Sequence, residues 1–69
     1  MRLEYDAAAD AAYLRLSESA IVQSEEVKPG IVLDYDADQR LVGIELLGVS
    51  KQIRDFDVDR IEIDTVRKG

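Results

Sequence analysis

Apolar and polar residues alternate with a period of two over most of this chain. In Ile31-Val32-Leu33-Asp34-Tyr35-Asp36 the odd positions are apolar and two of the three even positions are acidic, the pattern of a half-buried strand. Leu41-Val42-Gly43-Ile44-Glu45-Leu46 repeats it, with Val42, Ile44 and Leu46 on one face. Residues 37–40 form a short polar connection suited to a turn. A tight loop closed at Asp38-Gln39 predicts the cross-strand pairs Tyr35–Val42, Leu33–Ile44 and Ile31–Leu46. A slip of one residue would carry charges onto that apolar face, so the pattern itself selects the register.

A similar hairpin is expected 30 residues earlier. Leu3-Glu4-Tyr5-Asp6-Ala7 lines up with Leu33-Asp34-Tyr35-Asp36-Ala37, and Leu16 with Leu46. The same pairing rule matches Met1 with Leu16, Leu3 with Leu14 and Tyr5 with Ala12. Residues 7–10 serve as the turn; because alanine-rich segments are poor turn formers, a single helical turn around residues 7–11 is the alternative. The repeat reflects either duplication or the shared demands of two hairpins.

Residues 17–19 make a polar break, and residues 20–27 read as an exposed edge strand. There Glu25, Glu26 and Lys28 discourage stray pairing. Pro29-Gly30 is a turn signal. Ser50 is placed to cap a short helix over residues 51–54, and residues 57–64 read as a last strand able to pair across to another subunit. Residues 65–69 are expected to fray. The predicted fold is α+β, mainly β: an antiparallel meander of four to five short strands, built as two similar hairpins, with one short helix. It forms a single domain, 1–69, with a core over 1–54 and an additional C-terminal strand and frayed end over 55–69.

Size changes the picture. With 69 residues the chain buries only ~60% of the surface its unfolded form exposes. Domains this small usually gain a disulfide, a metal or a partner subunit. The chain has no Cys and no His, which removes disulfides, leaves structural zinc without suitable ligands and removes the usual acid–base and nucleophilic side chains. Self-association is the remaining reinforcement, and a homodimer is favoured.

Charge narrows the partners. Nine basic residues face fifteen acidic ones, a net charge of −6. Ten acids and four bases lie in residues 1–48, whereas residues 49–69 are balanced at five each. Such a field repels nucleic-acid phosphates and steers basic proteins inward. No apolar run reaches membrane-spanning length, and the N-terminus lacks the apolar stretch of an export signal. The expectation is a cytoplasmic protein of a microbe that binds neither nucleic acid nor membrane.

One spacing imitates a calcium loop. Asp34, Asp36, Asp38 and Glu45 occupy its positions one, three, five and twelve, and Leu41 its apolar eighth. Gln39 stands where the sharp turn needs Gly, and the flanks alternate as strands, so these acids are read as an outward acidic face. Neither metal ligands, cofactor nor catalytic residues are assigned, and the chain is expected not to be an enzyme. Carboxylate pairs for glycosidase-type chemistry would need a cleft between subunits. The outward acids Asp34, Asp36 and Glu45 are expected to steer a basic partner. Tyr13, on the face opposite Leu14 and Leu16, and Leu41, also turned away from the main apolar face, are contact candidates. The alternative is a divalent-cation or small-ligand binding domain using that acidic hairpin.

Leu3-Glu4-Tyr5-Asp6, Ala9-Asp10-Ala11-Ala12-Tyr13-Leu14-Arg15-Leu16, Pro29-Gly30-Ile31-Val32-Leu33-Asp34-Tyr35-Asp36, Leu41-Val42-Gly43-Ile44-Glu45-Leu46 and Ser50-Lys51 together resemble the domain of unknown function 2283 family over residues 1–54. The chain departs from that pattern beyond Phe56. The resemblance implies a small, mostly β bacterial or archaeal protein without an assigned activity, and carries over no catalytic or ligand residue. It also implies membership of a two-gene unit that resembles a toxin–antitoxin pair.

Overall fold

Alternation becomes five antiparallel strands and one short helix in the computed structural model, which describes residues 1–67. The strands are β1 (Arg2–Asp6), β2 (Ala11–Arg15), β3 (Gln23–Lys28), β4 (Ile31–Tyr35) and β5 (Leu41–Leu47), and α1 is Val49–Gln52. They form one sheet in the order β1-β2-β5-β4-β3. The mainly β, antiparallel fold read from the alternation is the fold observed. Among the described residues no helix is long and apolar enough to cross a membrane.

Two hairpins with the same register make the sheet. Leu3 opposes Leu14 and Tyr5 opposes Ala12 in the first; Ile31 opposes Leu46 and Leu33 opposes Ile44 in the second. They join through β2 and β5, where Leu14 faces Ile44. Those two residues are equivalent under the 30-residue repeat, so their pair lies on a local pseudo-two-fold axis normal to the sheet. The apolar residues of both hairpins therefore share one face.

Three expectations are corrected. Tyr35 pairs with Leu41, not Val42, because a bulge interrupts β4 and β5 after Asp34. The turn is wider than a two-residue loop. Asp36 Oδ1 accepts from the amides of Asp38 (2.9 Å) and Arg40 (3.0 Å), and Gln39 takes a positive φ of 63°. The bulge absorbs the extra residue and leaves Val42 buried. In the first hairpin the ladder ends at Arg2 opposite Arg15, so Met1 has no partner.

The helix is not capped by Ser50. It starts earlier, after Gly48 in the left-handed conformation, with no side-chain cap from that residue. Asp10 performs that role from 40 residues away. Its carboxylate accepts from the Ser50 amide (3.2 Å to Oδ1) and the Ser50 hydroxyl (2.6 Å to Oδ2), and its carbonyl accepts from the Val49 amide (2.8 Å). The turn of the first hairpin is thereby tied to the end of the second.

Residues 57–64 form no strand. The Asp57 carboxylate instead accepts the Asp59 amide (2.9 Å), closing a turn that breaks the alternation at its start. Of the end expected to fray, residues 65–67 carry neither strand nor helix, and residues 68 and 69 lie outside the described residues. Phe56 packs on Tyr5 with ring centroids 5.3 Å apart, and Ile61 and Ile63 line a cleft with Met1, Leu3 and Leu14. The tail thus meets the β1–β2 end of the sheet without completing a ladder.

Between β2 and β3 the chain crosses from the middle of the sheet to its far edge. Arg15 holds this crossing, its guanidinium donating to the carbonyls of Ser17 (2.8 Å) and Ser19 (2.9 Å). The core is thin. Among the described residues only Ala12, Val42 and Val49 are buried apolar side chains, and the molecule measures 40 × 34 × 19 Å.

Asp10 also takes a positive φ of 50°. Asp10→Ala should therefore destabilise the protein by about 1–2 kcal/mol, losing a cap and placing a Cβ-bearing residue without a polar side chain in the left-handed region. Asp10→Asn, which tolerates that conformation and keeps an acceptor, should lose less. Urea denaturation of the three proteins tests the order.

Candidate functional site

The face opposite the apolar one is organised by the same registers. One row crosses the sheet as Glu4, Tyr13, Glu45, Val32 and Glu26, each directly opposite the next. The adjacent row runs Arg2, Arg15, Gly43, Asp34 and Ser24. Cross-strand neighbours in such rows are close enough for side chains to touch.

Tyr13 leans over Gly43. A Cβ at position 43 would stand 2.6 Å from Tyr13 Cζ and closer still to the hydroxyl, so only glycine leaves space for the ring. The hydroxyl is buried beside the Asp34 carboxylate but makes no hydrogen bond of normal geometry among the described residues. Burial, and then the Asp34 charge, push the Tyr13 phenol above its ordinary pKa.

Asp34 is corrected from an outward acid to a buried one, only 5% exposed. Its Oδ1 accepts from Ser24 Oγ at 2.5 Å on the neighbouring strand, and the Tyr13 ring shields the site from water. Glycine within a strand pattern is the one sequence signal that would have pointed to this cover. Ser24 carried no signal, because its value depends on β3 pairing with β4.

The expected contact residues are only partly brought together. Tyr13 and Glu45 sit directly opposite each other on β2 and β5. Asp36 lies in the turn with one carboxylate oxygen committed to two backbone amides. Leu41, expected to turn away from the apolar face, is set opposite Tyr35 by the bulge and stays 38% exposed. The set Asp34, Asp36, Asp38 and Glu45 is dispersed by these placements. Among the described residues no group of three or more metal-ligating side chains converges.

Two acids that the sequence reading missed, Glu4 and Asp6, share a surface depression with Tyr13 and Glu45, too far apart to hold one ion together. Glu4, Asp6 and Glu45 line a shallow depression of about 290 Å³ together with Tyr5, Ala11, Ala12 and Tyr13. Arg2 pairs with Glu4 at 3.1 Å, both largely exposed, and such a pair exchanges readily with another cation. An aromatic ring ringed by carboxylates suits a lysine or arginine side chain, through charge and through the ring face.

Residues 2–50 match the model of the family described as "Protein of unknown function (DUF2283)". The match covers most of the chain, and the chain belongs to this family. No curated protein and no solved structure shows significant similarity to it.

Two outcomes follow from the Tyr13 site. Gly43→Ala should destabilise the fold by about 1–3 kcal/mol, and much of that loss should return in the Gly43→Ala/Tyr13→Ala pair relative to Tyr13→Ala alone, measured as a double-mutant cycle. Because the folded-state pKa of Tyr13 is raised, its contribution is complete below the unfolded value near 10 and is lost as pH rises through the folded one. Stability should decline in that alkaline window, and Tyr13→Phe should remove part of the decline. Denaturation midpoints from pH 8 to 11.5 check this.

Proposed function

We propose that this member of the DUF2283 family is a non-enzymatic, self-associating protein-interaction domain of the bacterial cytoplasm, and that it docks a basic protein. The observation that carries the reading is surface area. A globular monomer of 7.7 kDa exposes about 4,300 Å², whereas this chain exposes 5718 Å². The excess of about 1,400 Å² is larger than the roughly 800 Å² that a standard interface removes from each partner. Apolar side chains contribute to it: Leu3, Tyr5, Ile21, Val22 and Val27 all stand exposed at or beside the two sheet edges. A second copy supplies the cover that disulfides and metals supply in other small domains.

The docking of a basic partner is supported by the polarity of the opposite face. Its carboxylates Glu4, Asp6 and Glu45 gather around Tyr13, within a hairpin region whose net charge is −6. Long-range attraction of this kind raises association rates and weakens as salt rises. A neighbouring-gene product with an excess of Lys and Arg is the natural candidate.

Sedimentation equilibrium at tens of micromolar should return about twice 7.7 kDa, and a mass that stays at the monomer value defeats the self-association reading. Co-expressed with its gene neighbour, the protein should co-elute at low salt, with affinity falling at least tenfold in the Glu4→Gln/Glu45→Gln variant. Undiminished binding by that variant defeats the docking reading.

A further inference from the structure

We infer that the C-terminal arm, residues 57–66, is exchanged between two copies of the chain, each arm laying Ile61 and Ile63 against Leu3 and Leu14 of the other. The inference rests on the self-association proposed above and assigns the element that makes it.

The complementary surfaces are visible within one chain. Ile61 and Ile63 line an apolar cleft of about 450 Å³ with Met1, Leu3 and Leu14, so the arm's chemistry fits the Leu3 end of β1. Within the chain, however, the fit is incomplete: Ile61, Ile63 and Val66 remain 58%, 85% and 84% exposed. Residues 61–64 alternate apolar and acidic, the pattern of a strand with one buried face. Ile61 and Ile63 share that cleft with Leu3 of β1, an outermost strand of the sheet, yet no ladder forms between the two segments. A strand-patterned arm and an unfilled edge of matching polarity therefore coexist in one molecule.

Whatever contacts an arm makes within its own chain it can make on an identical chain, provided the connection can redirect it. That connection is present. Asp55 adopts a positive φ of 60°, the turn at Asp57 follows, and no helix or strand spans residues 53–60. Phe56 on Tyr5 anchors the arm at its root, leaving the part beyond Asp57 to choose its surface. In exchange, the two arms are joined to the two β1 edges by one two-fold operation, which closes the assembly at a dimer and removes both edges from solvent.

The test uses full-length protein. Ile61→Asp/Ile63→Asp changes side chains that the single chain leaves largely exposed, so its circular dichroism and urea midpoint at monomeric concentration should match the wild type. Its dimer dissociation constant should rise at least 100-fold in sedimentation equilibrium. The absence of native cysteine allows a second measurement. A tagged Leu3→Cys chain and an untagged Ile63→Cys chain, mixed and bridged with a short bismaleimide, should give a mixed covalent dimer. A wild-type dimer whose arm variant assembles equally well overturns arm exchange and leaves self-association standing. So does a Leu3→Cys/Ile63→Cys chain that bridges only within itself while the mixture stays unlinked. A wild type that remains monomeric at every concentration overturns both.

Discussion

The antiparallel ladder between β2 and β5, with Leu14 opposite Ile44, is the constraint on which the other features depend. It joins two hairpins, whose registers agree up to the bulge at Tyr35, about a pseudo-two-fold axis. That operation keeps faces: Leu3 and Tyr5 of the first hairpin fall on the same side as Leu33 and Tyr35 of the second. It also places the second strand of each hairpin in the middle of the sheet. The chain leaving β2 must therefore travel over residues 16–22 to reach the far edge, and Arg15 secures that passage through the Ser17 and Ser19 carbonyls.

The symmetry is broken where it would be sterically impossible. Under the repeat, Tyr13 is equivalent to Gly43, and the two lie on adjacent strands close to the axis. Each site projects toward the other, so a second tyrosine would occupy the volume of the first. One ring and one hydrogen atom resolve the conflict. The ring that remains then covers Asp34, whose equivalent in the first hairpin, Glu4, stays exposed and pairs with Arg2. One substitution between otherwise similar hairpins thus separates two acids into different roles. Glu4 is available to a cation from outside, whereas Asp34 is held inside by Ser24.

The fold was legible because alternation, turn residues and charge all pointed one way over residues 1–47, and register followed from which slip would bury a carboxylate. What escaped was long-range. Asp10 capping a helix 40 residues away depends on the two hairpins meeting, and nothing local to Ser50 reports it. The bulge at Tyr35 arises from a turn organised by the Asp36 carboxylate, which widens the loop beyond what a two-residue connection needs. The candidate site was half visible for a similar reason. Tyr13 and Glu45 could be placed on one face by counting, but Glu4 and Asp6 join them only once β1 lies against β2. Asp34, by the same counting, belongs outside, and only the ring leaning across Gly43 brings it in. The segment 57–64 misled because alternation does not by itself make a ladder: the turn closed by the Asp57 carboxylate breaks the pattern at its start, and no pairing with β1 follows.

Thinness and charge bear on each other. A single sheet has two faces and one small core, so covering the apolar face with a second copy leaves the acidic face of each protomer turned outward. The negative charge concentrated in residues 1–48 would then repel only weakly across the contact, because Glu4 and Glu45 stand on the opposite face of the sheet, whereas Ile61 and Ile63 line the apolar cleft. In the proposed assembly, separating apolar cohesion from electrostatic attraction would let a 69-residue chain hold to itself and keep a field for a basic partner. It also makes the two interactions distinguishable in solution, since burial of apolar surface persists in salt that screens exposed charges beyond about 10 Å.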